Sequence, residues 1–246
     1  MNLKRSIGLP GMVFFGVGTM IGGGFYALLG KMVGLTGAFT PLSLLLAGAI
    51  ALMSAFSFAE LSRRYPTSAG EVQYVDAAFR RSWLSRLVGV LVILTGVVSA
   101  ATLCAATGGF LLDITGAPAG GLIALTAVLL TLVASWGVAE SVIAVAAITL
   151  LEAGTLLAII LLSPDRLLAL PDLVGEMVLS VDSLDGAALV SSAFLAFYAF
   201  VGFEDMVNMA EETRDVERTM PRAIFISMFI TVSLYLGVAM VAMGLE

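Results

Sequence analysis

The chain has 246 residues, 60% of them hydrophobic and 12% charged, with a mean hydropathy of +1.06. Soluble domains are about 45–50% apolar, so the composition excludes a soluble globular protein and specifies a polytopic membrane protein. The net charge of −6 forms no continuous field, because Asp165, Asp172, Glu176, Asp182 and Asp185 share one connecting segment, and nucleic-acid binding has no support.

A helix needs about 20 mostly apolar residues to cross the hydrocarbon core of a bilayer. Lys4 and Arg5 precede an apolar run that continues through Leu29, too long for a signal peptide, so the start reads as an uncleaved first helix over 8–30. A second span over 38–61 ends at Glu60, just before Arg63 and Arg64, with which it is expected to pair. Segment 63–85 sets Tyr74, Phe79 and Trp83 among charges and is too polar to cross, which suits an interfacial helix. Spans three to five follow over 86–111, 120–137 and 141–162, the last two separated only by Gly137-Val138-Ala139-Glu140. A connector over 163–187 precedes span six, 188–210, and span seven, 221–243.

Lys and Arg in short loops set orientation. With a cytoplasmic N-terminus, that side receives Lys4, Arg5, Arg63, Arg64, Arg80, Arg81, Arg86, Arg214, Arg218 and Arg222, and the other only Lys31 and Arg166. Seven spans and a cell-membrane location are therefore expected, with 163–187 extracytoplasmic. The sequence stops directly after an apolar run, so either it is a fragment or a second chain supplies further helices.

Two spans carry features that a plain membrane helix does not need. In the first, Gly22, Gly23 and Gly24 sit at mid-depth within Gly16-Val17-Gly18-Thr19-Met20-Ile21-Gly22-Gly23-Gly24-Phe25-Tyr26. Gly18 and Gly22 alone would suit close helix packing, but three successive glycines point to non-helical backbone. Such backbone is tolerated in a bilayer only where protein buries it or a polar cavity meets it. An unwound helix offers free N–H groups to a carboxylate and free carbonyls to an ammonium or a cation. In the sixth span, Val201-Gly202-Phe203-Glu204-Asp205 interrupts the apolar run. A mid-membrane carboxylate costs at least about 2.5 kcal/mol and normally faces a cavity or partner. Glu204 is therefore a candidate coupling or gating group able to hold a proton, and Tyr198 a candidate cap over a small substrate. Glu152 in span five is a second candidate for proton or cation coupling.

Without histidine, a histidine relay or histidine metal site is excluded, and one cysteine, Cys104, supports neither a disulfide framework nor a thiolate cluster. No cofactor is expected, and no nucleophile–base pair suggests an enzyme. The absence of a lysine in span seven argues against a retinal-binding receptor.

Three motifs in order resemble the amino acid-polyamine-organocation (APC) family of secondary transporters: Gly16-x-Gly18-x-x-Ile21-Gly22-x-Gly24-Phe25; Ala59-Glu60-Leu61 with Tyr65-Pro66-x-Ser68-Ala69-Gly70-Glu71-x-x-Tyr74; and Phe197 to Glu204 followed by Ala210-Glu211-Glu212 and Arg218-x-x-Pro221-Arg222-Ala223-Ile224. The resemblance implies an all-α integral membrane protein with a five-plus-five inverted repeat of the leucine-transporter type, in which helices 1 and 6 are discontinuous. Residues 1–162 would be the first repeat and 188–246 the start of the second, with helices eight to twelve absent. Thr19, Met20, Ile21, Gly22, Gly23, Gly24, Tyr198, Phe200, Gly202 and Phe203 would line the substrate site, with Tyr198, Glu204 and Glu152 in gating or coupling. Ala69 replaces the first of a usual glycine pair, Val72 a common aromatic, and Asp215-Val216 a usual Asn-Pro. Where some relatives carry a fifth-helix lysine, Glu152 stands. The expected function is alternating-access transport of an amino acid or related amine, with a proton or sodium as coupling ion. The rival is a membrane sensor, partner subunit or inactive fragment that retains the pocket.

Overall fold

The computed structural model describes residues 5–68, 70–135 and 138–243, all of whose regular elements are helical apart from one parallel bridge between Ile7 and Thr213. Helix α1 (Leu9–Thr36) has a proline in its first turn, where a missing N–H removes no bond. It is broken at Gly22, whose φ of 5° and ψ of −179° are not helical. A 3₁₀ turn, Gly37–Phe39, leads to α2 (Thr40–Arg64). The short α3 (Gly70–Phe79) precedes α4 (Ser82–Thr115), α5 (Ala119–Ser135) and α6 (Val138–Leu161).

The connector folds as α7 (Pro164–Leu168), α8 (Leu170–Leu179) and a 3₁₀ turn, Val181–Ser183. Helix α9 (Gly186–Phe200) is capped by Asp185, whose carboxylate accepts from the Ala187 N–H at 2.8 Å. It stops at Val201, which has extended backbone, and the chain resumes as a 3₁₀ helix over Glu204–Glu212. Helix α10 (Val216–Ala242) completes the described order.

Four helical stretches are long and apolar enough to cross a membrane: 24–64, which runs through the first 3₁₀ turn, 82–115, 186–212 and 216–242. Leu9–Gly22, Ala119–Ser135 and Val145–Leu161 are shorter apolar helices. Each apolar run in the sequence thus coincides with helix, but the ends differ. Helix α1 continues past Lys31 to Thr36, and α4 starts at Ser82, absorbing the Trp83 and Arg86 that sequence assigned to the loop or its edge. Backbone bonding carries a helix beyond the hydrocarbon, and long basic side chains reach the interface from there. Only Gly70–Phe79 remains as the separate interfacial candidate.

Helices α1, α2, α9 and α10 pack together, with α6 against α1 and α10. The close approach of α2 follows from Ala47, Ala51, Ala55 and Ala59, which recur every fourth residue and are buried. Met12, Met20, Phe25, Phe200, Met206, Ile224 and Tyr235 fill the space between. At one end Ile7 is pinned between two strand-like bonds: its N–H donates to Glu212 O at 3.0 Å, and its carbonyl accepts from Arg214 N–H at 2.8 Å. The start of α1 is thereby tied to the segment that follows the α9 break.

Candidate functional site: a cavity between two helix breaks

The break in α1 and the break after α9 lie against each other. Gly202 has φ +133°, a region that side chains rarely adopt, and a Cβ built there would lie 2.5 Å from the carbonyl oxygen of Thr19 and 3.1 Å from the Met20 nitrogen. Only glycine lets the second break approach the backbone of the first this closely. The contact is also bonded, since the Thr19 hydroxyl reaches Gly202 O and its own helix's Gly16 O, each at 3.0 Å.

Broken helices leave carbonyls without intrahelical partners. Here one side chain from a third helix collects them. The Tyr235 hydroxyl, fully buried on α10, lies 2.8 Å from Met20 O, 3.4 Å from Ile21 O and 3.1 Å from Ala199 O. Its ring stacks on Phe25 with centroids 3.8 Å apart and 4° between planes, and tilts against Phe200 at 5.3 Å. One phenolic proton faces three carbonyls, so acceptor capacity is left over on both helices. After the second break, the Gly202 N–H donates to the Glu204 carboxylate at 2.9 Å.

Between the breaks is a cavity of about 140 Å³, with walls that include Thr19, Met20, Gly22, Gly24, Tyr198 and Gly202. It has room for several waters. Ser99 and Leu103 of α4 and Asp205 also line it. A second cavity of about 310 Å³ shares Ser99, Val201 and Asp205 with the first and adds Glu71 and Glu204. Burial, helped by the neighbouring Asp205 charge, raises the Glu71 carboxyl above the ordinary carboxylate range. Tyr74, one turn along α3, is raised for the same reason, with the Glu71 charge contributing.

The profile of the amino acid permease family matches residues 7–246. The chain belongs to the amino acid permease family. It is 28% identical to a cationic amino acid transporter of Arabidopsis thaliana described as chloroplastic, over 99% of this chain and 46% of that protein. It is also 28% identical to the inner membrane transport protein YbaT of Escherichia coli, over 99% of this chain and 56% of that one. An uncharacterized transporter of Mycobacterium tuberculosis is 31% identical over 97% of this chain and 52% of its own length. The chain therefore spans about half the length of the curated relatives it matches. With this membership and its apolar helices, it is an integral membrane protein.

Within this permease-family chain, six of the residues singled out from sequence share the cavity wall: Thr19, Met20, Gly22, Gly24, Tyr198 and Gly202. Ile21, Phe200 and Phe203 belong to the packed core instead, with Phe203 edge-on to Phe58 at 5.7 Å. The surroundings of Gly23 lie outside the described residues. Glu204 lines the larger cavity. Glu152 is half-buried on α6 and lines neither cavity; its backbone carbonyl accepts from the Tyr26 hydroxyl at 3.0 Å. Glu60 pairs with Arg64 at 2.7 Å and Arg63 at 3.3 Å, as its spacing suggests.

Sequence reasoning missed Tyr235, Ser99 and Glu71. A signal for Tyr235 was present, because Ser227, Thr231 and Tyr235 recur every fourth residue and form a buried polar stripe within an apolar helix. Ser227 donates to Val13 O at 3.1 Å, so the stripe faces α1.

Proposed function

We propose that the chain forms the substrate-binding part of a secondary transporter for amino acids or related amines, with seven spans, of which the first and sixth are discontinuous. The observation that carries this reading is the cavity held between the two breaks by Thr19 and Tyr235. A zwitterion needs donors for its carboxylate and acceptors for its ammonium within a few ångströms. The helix that restarts at Gly24 supplies first-turn N–H groups and the positive end of a dipole. The carbonyls of Met20 and Ala199, sharing one tyrosine proton, supply acceptors. Tyr198 is 39% exposed and stands 3.8 Å from the Cβ position of Gly24, where a ring can cover the site.

In this proposal the substrate binds at mid-membrane, and rocking of one helix group against another alternates access. The N-terminus is cytoplasmic, in the cell membrane. Glu204 is the coupling group, because its carboxylate holds the backbone of the second break through Gly202, and loss of its charge would weaken that bond. A proton is then the coupling ion favoured.

The experiment is uptake of radiolabelled amino acids and amines into proteoliposomes, beside equilibrium binding of the same compounds. Wild type should bind and accumulate at least one of them. Gly24→Leu, which projects into the cavity, should lose both while extracting as a folded protein. Binding without uptake would identify a sensor or partner subunit, and wild-type affinity in Gly24→Leu would reject the site. Glu204→Gln should abolish the pH dependence of uptake; an unchanged pH profile would remove the coupling role.

A further inference from the structure

Outside the cavity between the breaks, a groove of about 550 Å³ runs between α2 and α10. Its walls are Leu45, Leu52 and Phe56 on one helix and Phe225, Phe229 and Val232 on the other, with Gly48 and Ala49 leaving space between. The helices are antiparallel here, since Phe56 meets Phe225 at 4.7 Å and the Cβ position of Gly48 lies 3.4 Å from Val232. Phe229 is 74% exposed and Phe56 59%, so the groove opens outward.

Length and charge identify its occupant. From Leu45 to Phe56 the groove extends roughly 16 Å along the helix axis. That is about half of a ~30 Å hydrocarbon core, the depth of one leaflet. Beyond Phe225, the same face of α10 continues as Arg222 and Arg218: positions 218, 222, 225, 229 and 232 follow the four–three spacing of a single helical stripe. These arginines lie about one and two turns past the aromatic end of the groove, at headgroup level. Both are exposed, and among the described residues neither has a carboxylate in ion-pair reach. Across the groove, Glu60 is already engaged by Arg63 and Arg64. Glu217, beside Arg218 in sequence, lies about 100° round the helix.

We propose that this groove binds an anionic glycerophospholipid, one acyl chain lying along α2 and α10 and the phosphate meeting Arg218 and Arg222. The full chain, stripped of lipid in detergent, is titrated with phosphatidylglycerol and with phosphatidylcholine of identical acyl chains, and binding is read by native mass spectrometry. Two unpaired arginines at the headgroup should give the anionic lipid about a tenfold or greater preference. The Arg218→Gln/Arg222→Gln double variant should bind the two lipids equally, and Ala49→Trp, which fills the groove, should bind neither at this site. Equal affinities in wild type, or a preference surviving in the double variant, would overturn the proposal. A photoreactive benzoylphenylalanine in place of exposed Phe229 provides a second readout in native membranes. A lipid adduct supports the assignment, whereas a peptide adduct would show that another helix fills the groove and would overturn it.

Discussion

The two helix breaks solve the same physical problem in different ways. In α1 the chain leaves helical geometry at Gly22, and a Cβ there would meet nothing within 4 Å. After α9 the chain turns through Gly202, packed against the backbone of Thr19. The first break is open, with its carbonyls gathered by a tyrosine from α10. The second is tight, held by the Thr19 hydroxyl and its own Glu204. The difference assigns them separate tasks: one break makes space, and the other fixes where that space ends. Irregular backbone at membrane depth survives only if its polar groups find partners, and two of these partners, Thr19 and Tyr235, reach a break that is distant in sequence.

The largest effect should come from the tight break. Gly202→Val forces a side chain into positive φ and into the Thr19 carbonyl, so folded protein extracted from membranes should fall to a small fraction of wild type. Near-normal yield would show that the breaks are not in register. Tyr235→Phe keeps the Phe25 stack but removes the hydroxyl proton that faces three carbonyls, and should cost about 1–3 kcal/mol in denaturant unfolding. Tyr198→Phe, at a partly exposed ring whose hydroxyl has no hydrogen bond among the described residues, should change stability far less; equal losses would erase the distinction.

Glu71→Gln probes the outer cavity. Its carboxyl is raised by burial, so the folded state binds the proton more tightly than the unfolded chain, and the stability it contributes is lost as pH rises above the ordinary Glu range. The variant should therefore be more stable than wild type at neutral pH and gain nothing in acid, measured by melting temperature across that range. The smallest change is expected at the open break. Gly24→Ala makes only ordinary contact with Tyr198 at 3.8 Å and should gain up to about 1 kcal/mol from reduced unfolded-state entropy.

Much of this arrangement was legible in the sequence. The apolar runs gave the helices, and Gly22 to Gly24 and Val201 to Asp205 marked where regular backbone fails. Which neighbours face the cavity was not legible. A helix turns about 100° per residue, so a contiguous stretch such as Thr19 to Gly24 must divide between cavity and core, and Ile21 went to the core. Ser99 and Leu103, spaced four apart, were hidden because α4 is apolar on nearly every face and offers no stripe to read. For Tyr235 the stripe with Ser227 and Thr231 marked a buried polar face, but not its task, because the carbonyls that its hydroxyl meets belong to other helices. The α1 overrun past Lys31 was missed because hydropathy marks the hydrocarbon and not the end of hydrogen bonding.

Labelling of the cavity wall tests most directly whether the space between the breaks holds a small zwitterion. With Cys104 replaced by serine, Ser99→Cys would be exposed to a water-soluble thiol reagent in proteoliposomes, with and without amino acids and amines. Labelling should proceed and slow in a concentration-dependent way when the bound compound is present. A thiol that no reagent reaches, or one whose labelling is indifferent to every amino acid and amine that the protein binds, would contradict a substrate site between the two breaks.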